Sequence, residues 1–146
     1  MPTKTFEQAI LFCEFQPDPS RPSTWLPLVE VTLVSPTYGP NNLLLYLDTG
    51  ASVTTLKAEL YPLLGLHRWD EGLRVPTSTG GGGVNVYQYT ATLEIFGKTI
   101  VCPIHLSDRL VTPPPFVGLL GRDTVFEQFG FGFWEATHEL YVTGNP

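Results

Sequence analysis

The chain has 146 residues, 42% of them hydrophobic, and these values are typical of one folded domain with a hydrophobic core. Its formal net charge of −6 disfavours nucleic acids and anionic membranes as partners, because both are negatively charged. No segment approaches the ~20 apolar residues of a membrane span, and the apolar segment Ala9–Cys13 is too short for the core of a signal peptide. We therefore expect a soluble, cytoplasmic protein of one domain.

The cysteines and histidines do not form a recognisable metal or disulfide pattern. Cys13 and Cys102 are too few for a disulfide framework, and either one bridge or two free thiols fits, two buried thiols being the commoner outcome. His67, His105 and His138 lack the spacing of metal ligands, so each is predicted to be a surface or packed side chain. We expect no metal and no cofactor.

The first half of the chain reads as strands and turns, and the 14 Gly and 14 Pro between short apolar runs indicate an all-β protein. The run Phe6–Phe15 fits either a strand or a short helix. The pattern then predicts a loop over Gln16–Thr24, a strand over Leu28–Val34, a turn over Pro36–Asn42 and a buried strand over Leu43–Leu47.

The second half continues in the same way. A helical turn is predicted within Thr55–Leu66, where Pro62 and Gly65 limit its length. The later elements are predicted to be a hairpin of Val84–Phe96 with Thr99–Leu106, an extended segment Thr112–Pro115, a helix Arg122–Phe129, and a hairpin of Phe131–Trp134 with Glu139–Val142.

The tripeptide Asp48-Thr49-Gly50 is the sharpest candidate for chemistry, and it occurs once. It also fits an ordinary turn at a strand end, in which Asp accepts a backbone hydrogen bond and Gly supplies a positive φ. The buried strand before it and the small residues Ala51 and Ser52 after it favour a functional interpretation. The carboxylate would emerge at a partly desolvated position that another backbone can approach closely.

Three segments in order resemble retroviral-type aspartic proteases, the retropepsin-like family. LLLYLDTGAS resembles the catalytic strand and loop, GGGGVNVYQYTATLEIFGKTI the flap and the strands behind it, and LLGRDTVFEQFGF the C-terminal segment with its short helix. The resemblance implies an all-β fold, a closed, mostly antiparallel β-barrel-like domain with one short C-terminal helix. Residues 26–146 would form this domain, and residues 1–25 an N-terminal extension that is a candidate strand of a dimer interface.

The chemistry of this family explains why one Asp48 is not enough. Two carboxylates about 3 Å apart share one proton, so together they can act as base towards a water molecule and as acid towards the substrate carbonyl. The resemblance implies that Asp48 of two chains meets on a two-fold axis. It also implies that Thr49 hydrogen-bonds across that axis and that Gly50 leaves room for the substrate backbone. Asp48, Thr49 and Gly50 are therefore the predicted catalytic residues, and Ala51 and Ser52 are predicted to bind substrate.

The glycine run Gly80, Gly81, Gly82 and Gly83 is predicted to be substrate-binding. A phosphate-binding loop would need a following helix and a Gly-Lys-Ser/Thr ending, and both are missing. A simple flexible loop remains an alternative. We expect the tip of a hairpin that closes over an extended peptide, although retroviral flaps carry an apolar residue among the glycines and this run does not.

Arg122 and Asp123 are predicted to be structural. A negative Asp123 suits the first turn of the helix predicted there. The resemblance implies that Arg122 braces the loop that carries Asp48, together with the dimer contact. Retroviral enzymes have acidic partners shortly after Asp-Thr-Gly-Ala, whereas this chain has Ser52 and Val53, so Arg122 needs another partner.

The sequence therefore predicts an aspartic endopeptidase that is active as a homodimer on extended peptide or protein substrates, with apolar residues favoured around the cut. One alternative is a non-catalytic module of the same fold that binds a peptide or protein partner. Another is a dimerisation domain of a larger assembly, which would pair tightly without binding peptides.

Overall fold

The computed structural model describes residues 6–79, 82–112 and 115–144, and most of these residues lie in strands. A 3₁₀ helix spans Ala58–Leu64, and one α-helix, α1, spans Val125–Gln128. The strands are β1 Gln8–Leu11, β2 Cys13–Phe15, β3 Thr24–Leu26, β4 Leu28–Ser35, β5 Gly39–Leu47, β6 Thr54–Lys57, β7 Leu73–Thr79, β8 Gly82–Ile95, β9 Lys98–Ser107, β10 Gly118–Leu120, β11 Phe129–Trp134 and β12 Glu139–Gly144.

Six strands form a closed barrel. They pair in the order β4-β5-β10-β6-β9-β8, and an additional pairing of β4 with β8 closes the ring, while β7 pairs with the other part of β8. The pairings of β5 with β10 and of β6 with β9 are parallel, and the others are antiparallel. The closed, mostly antiparallel barrel with a short helix near the C-terminus that the sequence predicts is therefore present.

The core lies inside the barrel because the strands alternate. On β4 the residues Val29, Val31 and Leu33 are buried, and on β9 the residues Ile104 and Leu106 have no exposed surface. Alternate side chains of a strand point to opposite faces, so one face of each strand fills the interior. A buried apolar side chain contributes about 1.5–3 kcal/mol to folding, which makes this interior the main source of stability.

A separate three-stranded sheet joins the two ends of the chain. β12 lies between β1 and β11, with Gln8 opposite Val142 and Phe131 also opposite Val142. The run Phe6–Phe15, for which strand and helix were both open, contains two strands. The C-terminal hairpin is confirmed.

Several boundaries differ from the sequence-based prediction. The helix predicted over Arg122–Phe129 is limited to Val125–Gln128, because Thr124 has a positive φ of 68° and Phe129 is already extended. Asp123 therefore precedes α1 instead of lying in its first turn, and that prediction was wrong. The turn predicted over Pro36–Asn42 is also too long, since β5 begins at Gly39.

Neither cysteine of the described region forms a disulfide. Cys13 is half-buried and Cys102 is buried, so the alternative with two free thiols is confirmed. Burial, assisted by the Asp123 carboxylate, raises the pKa of Cys102 to about 11, so this thiol stays protonated at neutral pH. No helix in the ranges 6–79, 82–112 and 115–144 is long and apolar enough to cross a membrane.

Candidate active site at the crossing of β5 and β10

The loop that carries Asp48 crosses the end of a third strand. β10 lies between β5 and β6, parallel to the first and antiparallel to the second. Because β5 and β6 follow each other in the chain, the segment 48–53 that joins them must pass over β10. We call this segment the crossing loop. The backbone N–H of Asp48 donates to the carbonyl of Leu120 at 3.1 Å, which fixes the start of this loop on β10.

Two glycines make the crossing possible. A Cβ at Gly121 would lie 2.4 Å from the carbonyl carbon of Val53, and one at Gly118 would lie 2.5 Å from the carbonyl oxygen of Thr55. Neither distance can accommodate a side chain. The N–H of Gly121 donates to the buried hydroxyl of Thr54 at 3.0 Å, which ties the end of β10 to the start of β6.

The Asp48 carboxylate is half-buried at the start of the crossing loop. Its Oδ1 accepts a hydrogen bond from the N–H of Gly50 at 2.8 Å, and the N–H of Ala51 donates to the Asp48 carbonyl at 3.2 Å. Among the residues that the structure describes, no other donor bonds to this carboxylate and no cation pairs with it. The carboxylate is thus oriented by the loop and still open to a further partner.

Arg122 and Asp123 contact the crossing loop through their backbones. The N–H of Arg122 donates to the Ala51 carbonyl at 2.9 Å, and the N–H of Asp123 donates to the Ser52 carbonyl at 2.8 Å. Both side chains are exposed, and the Arg122 guanidinium forms no ion pair within the described ranges. Bracing by the Arg122 side chain stays a prediction.

Thr49, Gly50 and Ser52 are exposed at the tip of the loop, whereas Ala51 is half-buried. The Thr49 hydroxyl makes no hydrogen bond in the part of the chain that the structure covers. The hydrogen bond predicted for it across a two-fold axis is untested in a single chain.

The hairpin of β7 and β8 borders the same site. Thr79 pairs with Gly82, and Ser78 with Gly83, so the last two glycines of the run belong to β8. Gly80 and Gly81, predicted to be at the flap tip, lie outside the described residues. Lower in the hairpin, Thr77 and Val86 border the cavity that contains Asp48.

This cavity has a volume of about 450 Å³. It joins the crossing loop to parts of the barrel that the sequence did not single out, lined by Asp48, Gly50, Ala51, Ser52, Val53, Thr55, Thr77, Val86, His105, Ser107, Arg109, Leu110 and Leu119. A larger cavity of about 800 Å³ lies beside β1 and β4 and includes Glu30 and Glu94, but none of the predicted site residues. We place the candidate site in the smaller cavity because it combines the oriented carboxylate with a loop and a hairpin.

Among the lining residues that the sequence did not assign to the site, His105 and Arg109 have titratable or charged side chains. His105 Nε2 lies 3.1 Å from the Oε1 of Gln88 on the neighbouring strand. Burial lowers the pKa of His105 below its ordinary value, and the Asp123 carboxylate opposes this shift. The imidazole is therefore neutral over a wider pH range than that of a free histidine.

No cluster of three or more His, Cys, Asp or Glu side chains suited to a metal ion occurs in the described ranges. The sequence matches no known protein-family model, and no curated protein is significantly similar to it.

Proposed function

We propose that the protein is an aspartic endopeptidase of the retropepsin type, active as a homodimer with one Asp48 from each chain. The observation that carries this proposal is the position of Asp48. Its half-buried carboxylate stands on a loop fixed to β10, beside a cavity bordered by the hairpin of β7 and β8. This arrangement suits an extended peptide between loop and hairpin.

The proposed reaction needs two carboxylates and one water molecule. One ionised Asp48 removes a proton from the water, and the protonated Asp48 of the second chain donates its proton to the carbonyl oxygen of the peptide bond. The water oxygen forms the new C–O bond. The C–N bond then breaks as the first Asp48 passes the proton it took from water to the leaving amine, and the second Asp48 recovers a proton from the hydroxyl of the new carboxyl group. The reaction needs one carboxylate ionised and the other protonated at the same time, so activity should be greatest at mildly acidic pH.

The test is cleavage of a peptide library between about pH 3.5 and 7, the range in which a paired carboxylate titrates. The comparison is between the wild type and Asp48→Asn, which keeps the size of the side chain. We expect cleavage by the wild type, abolished in the variant and blocked by a statine-type inhibitor. Absence of cleavage by a folded, dimeric wild type would favour the non-catalytic binding module.

A further inference from the structure

The part of the cavity beside Asp48 that is formed by β9 and the segment after it, here called the β9 wall, is polar. β9 contributes His105 and Ser107, the segment after β9 contributes Arg109, and β6 and β7 contribute threonines. Apolar contacts come from Leu110, Leu119 and other aliphatic residues at its sides. Thr55, His105 and Ser107 already have hydrogen-bond partners within the chain, and Arg109 is the polar group there whose own contact is weakest.

The register of the barrel strands gives the distance between β10, to which the crossing loop is fixed, and this wall. Leu119 on β10 stands opposite Thr55 on β6, and Thr55 stands opposite His105 on β9. With neighbouring strands about 4.8 Å apart, His105 lies roughly 10 Å across the sheet from Leu119. An extended peptide advances about 3.3 Å per residue, so two positions span about 7 Å and a long side chain such as Glu must cover the remaining distance to the wall.

Arg109 supplies a positive charge to the lining of this cavity. Its Nε lies 3.9 Å from the Asp108 Oδ1, and the two side chains are 77% and 52% exposed. Such an exposed pair holds its partners weakly. The guanidinium can therefore turn to a substrate carboxylate, for which its planar shape allows two parallel hydrogen bonds.

We propose that this cavity selects an acidic side chain, Glu or Asp, within two residues of the cleaved bond, with Arg109 and His105 as its specificity-determining residues. The inference rests on the proposed function. Arg109 pairs with the substrate carboxylate. His105 Nε2 faces the Gln88 oxygen, so the ring donates from Nδ1 to that carboxylate in its protonated form. Asp48 repels an acidic side chain placed beside it, so the carboxylate is accepted at the β9 wall and not at the scissile bond. The apolar preference expected from the sequence would then apply to the other subsites.

The test uses three peptides that differ at one position within two residues of the cut, which carries Glu, Gln or Leu. For the wild type we expect kcat/KM for the Glu peptide to exceed that for the Leu peptide by about tenfold, as one charge-assisted hydrogen-bond pair implies. Arg109→Ala should reduce this ratio to near one, and His105→Leu should lower it in part. Arg68→Ala is the matched control, since Arg68 is also an exposed arginine beside an aspartate but does not line the cavity.

Binding to the Asp48→Asn protein separates this inference from the proposed function. Fluorescence anisotropy with labelled Glu and Leu peptides measures selection without cleavage. Tighter binding of the Glu peptide, lost in Asp48→Asn combined with Arg109→Ala, supports the acidic subsite even if the wild type cleaves nothing. Equal binding of the two peptides, or an acidic preference that survives the loss of Arg109, overturns it.

Discussion

At the scale of single residues, the position of the Asp48 carboxylate depends on backbone groups, one of them from a distant part of the chain. Asp48 is held by the carbonyl of Leu120 and by the N–H of Gly50. Arg122, whose side chain was expected to brace the loop, contributes its backbone N–H in this chain. The position of the carboxylate is therefore set mainly by the path of the backbone.

Thr54 allows a test of the contacts that fix the ends of the crossing loop. Its side chain is 1% exposed, and its hydroxyl accepts the N–H of Gly121. Thr54→Val keeps the shape but leaves that buried N–H without an acceptor, so the free energy of unfolding should fall by about 1–3 kcal/mol in urea titrations. Thr32→Val is the control, because its hydrogen bond to Asn42 is exposed and its loss should change stability by less than about 0.5 kcal/mol. Equal effects of the two changes would contradict the role given to Thr54.

Residues of the candidate site differ in how far the sequence could predict them. Asp48 was predictable because an apolar run leads directly into Asp-Thr-Gly. His105 and Arg109 were not, since their place in the cavity depends on the pairing of β9 with β6, whose residues are about fifty positions apart in the chain. No local pattern in the sequence reports such a register.

At the scale of elements, the short strand β10 organises the site. It is three residues long, yet it pairs with both β5 and β6 and forces the Asp48 loop to cross its end. Gly118 and Gly121 are required where the backbone of residues 118–121 approaches the backbone of Val53 and Thr55, because a Cβ at either position would overlap that backbone.

Gly121→Ala tests the close approach directly. The added methyl group would overlap the backbone of Val53, so the crossing must shift or the protein must lose about 1–3 kcal/mol of stability, measured by urea unfolding. Activity of the folded variant should also fall, because the Asp48 loop is displaced. Gly144→Ala is the control, since nothing lies within 4 Å of its Cβ position. A Gly121→Ala protein as stable and active as this control would refute the steric account.

Strand existence was easier to predict from the sequence than element boundaries. The hairpin of β8 and β9 and the hairpin of β11 and β12 follow from apolar runs around turn residues. β7 was missed because its sequence LRVPTST is polar and contains Pro76, which suits its position at the edge of the sheet. The predicted helix was too long because the positive φ of Thr124 is not visible in its residue type.

At the scale of the whole molecule, one chain supplies one Asp-Thr-Gly, and the proposed chemistry needs two carboxylates. The exposed Thr49 and Ser52 surround Asp48 at the loop tip, where a second copy would have to approach. We therefore expect the proposed active site to be shared between two identical chains.

Mixing wild type with a ninefold excess of Asp48→Asn protein tests whether two chains share the site. If chains pair at random, about one wild-type chain in ten finds a wild-type partner, so the cleavage rate per wild-type chain should fall about tenfold. The same excess of an inert, unrelated protein should leave the rate unchanged. A rate per wild-type chain that is unaffected by excess Asp48→Asn, with exchange of chains shown to be complete, would contradict a shared site and assign the activity to the single chain.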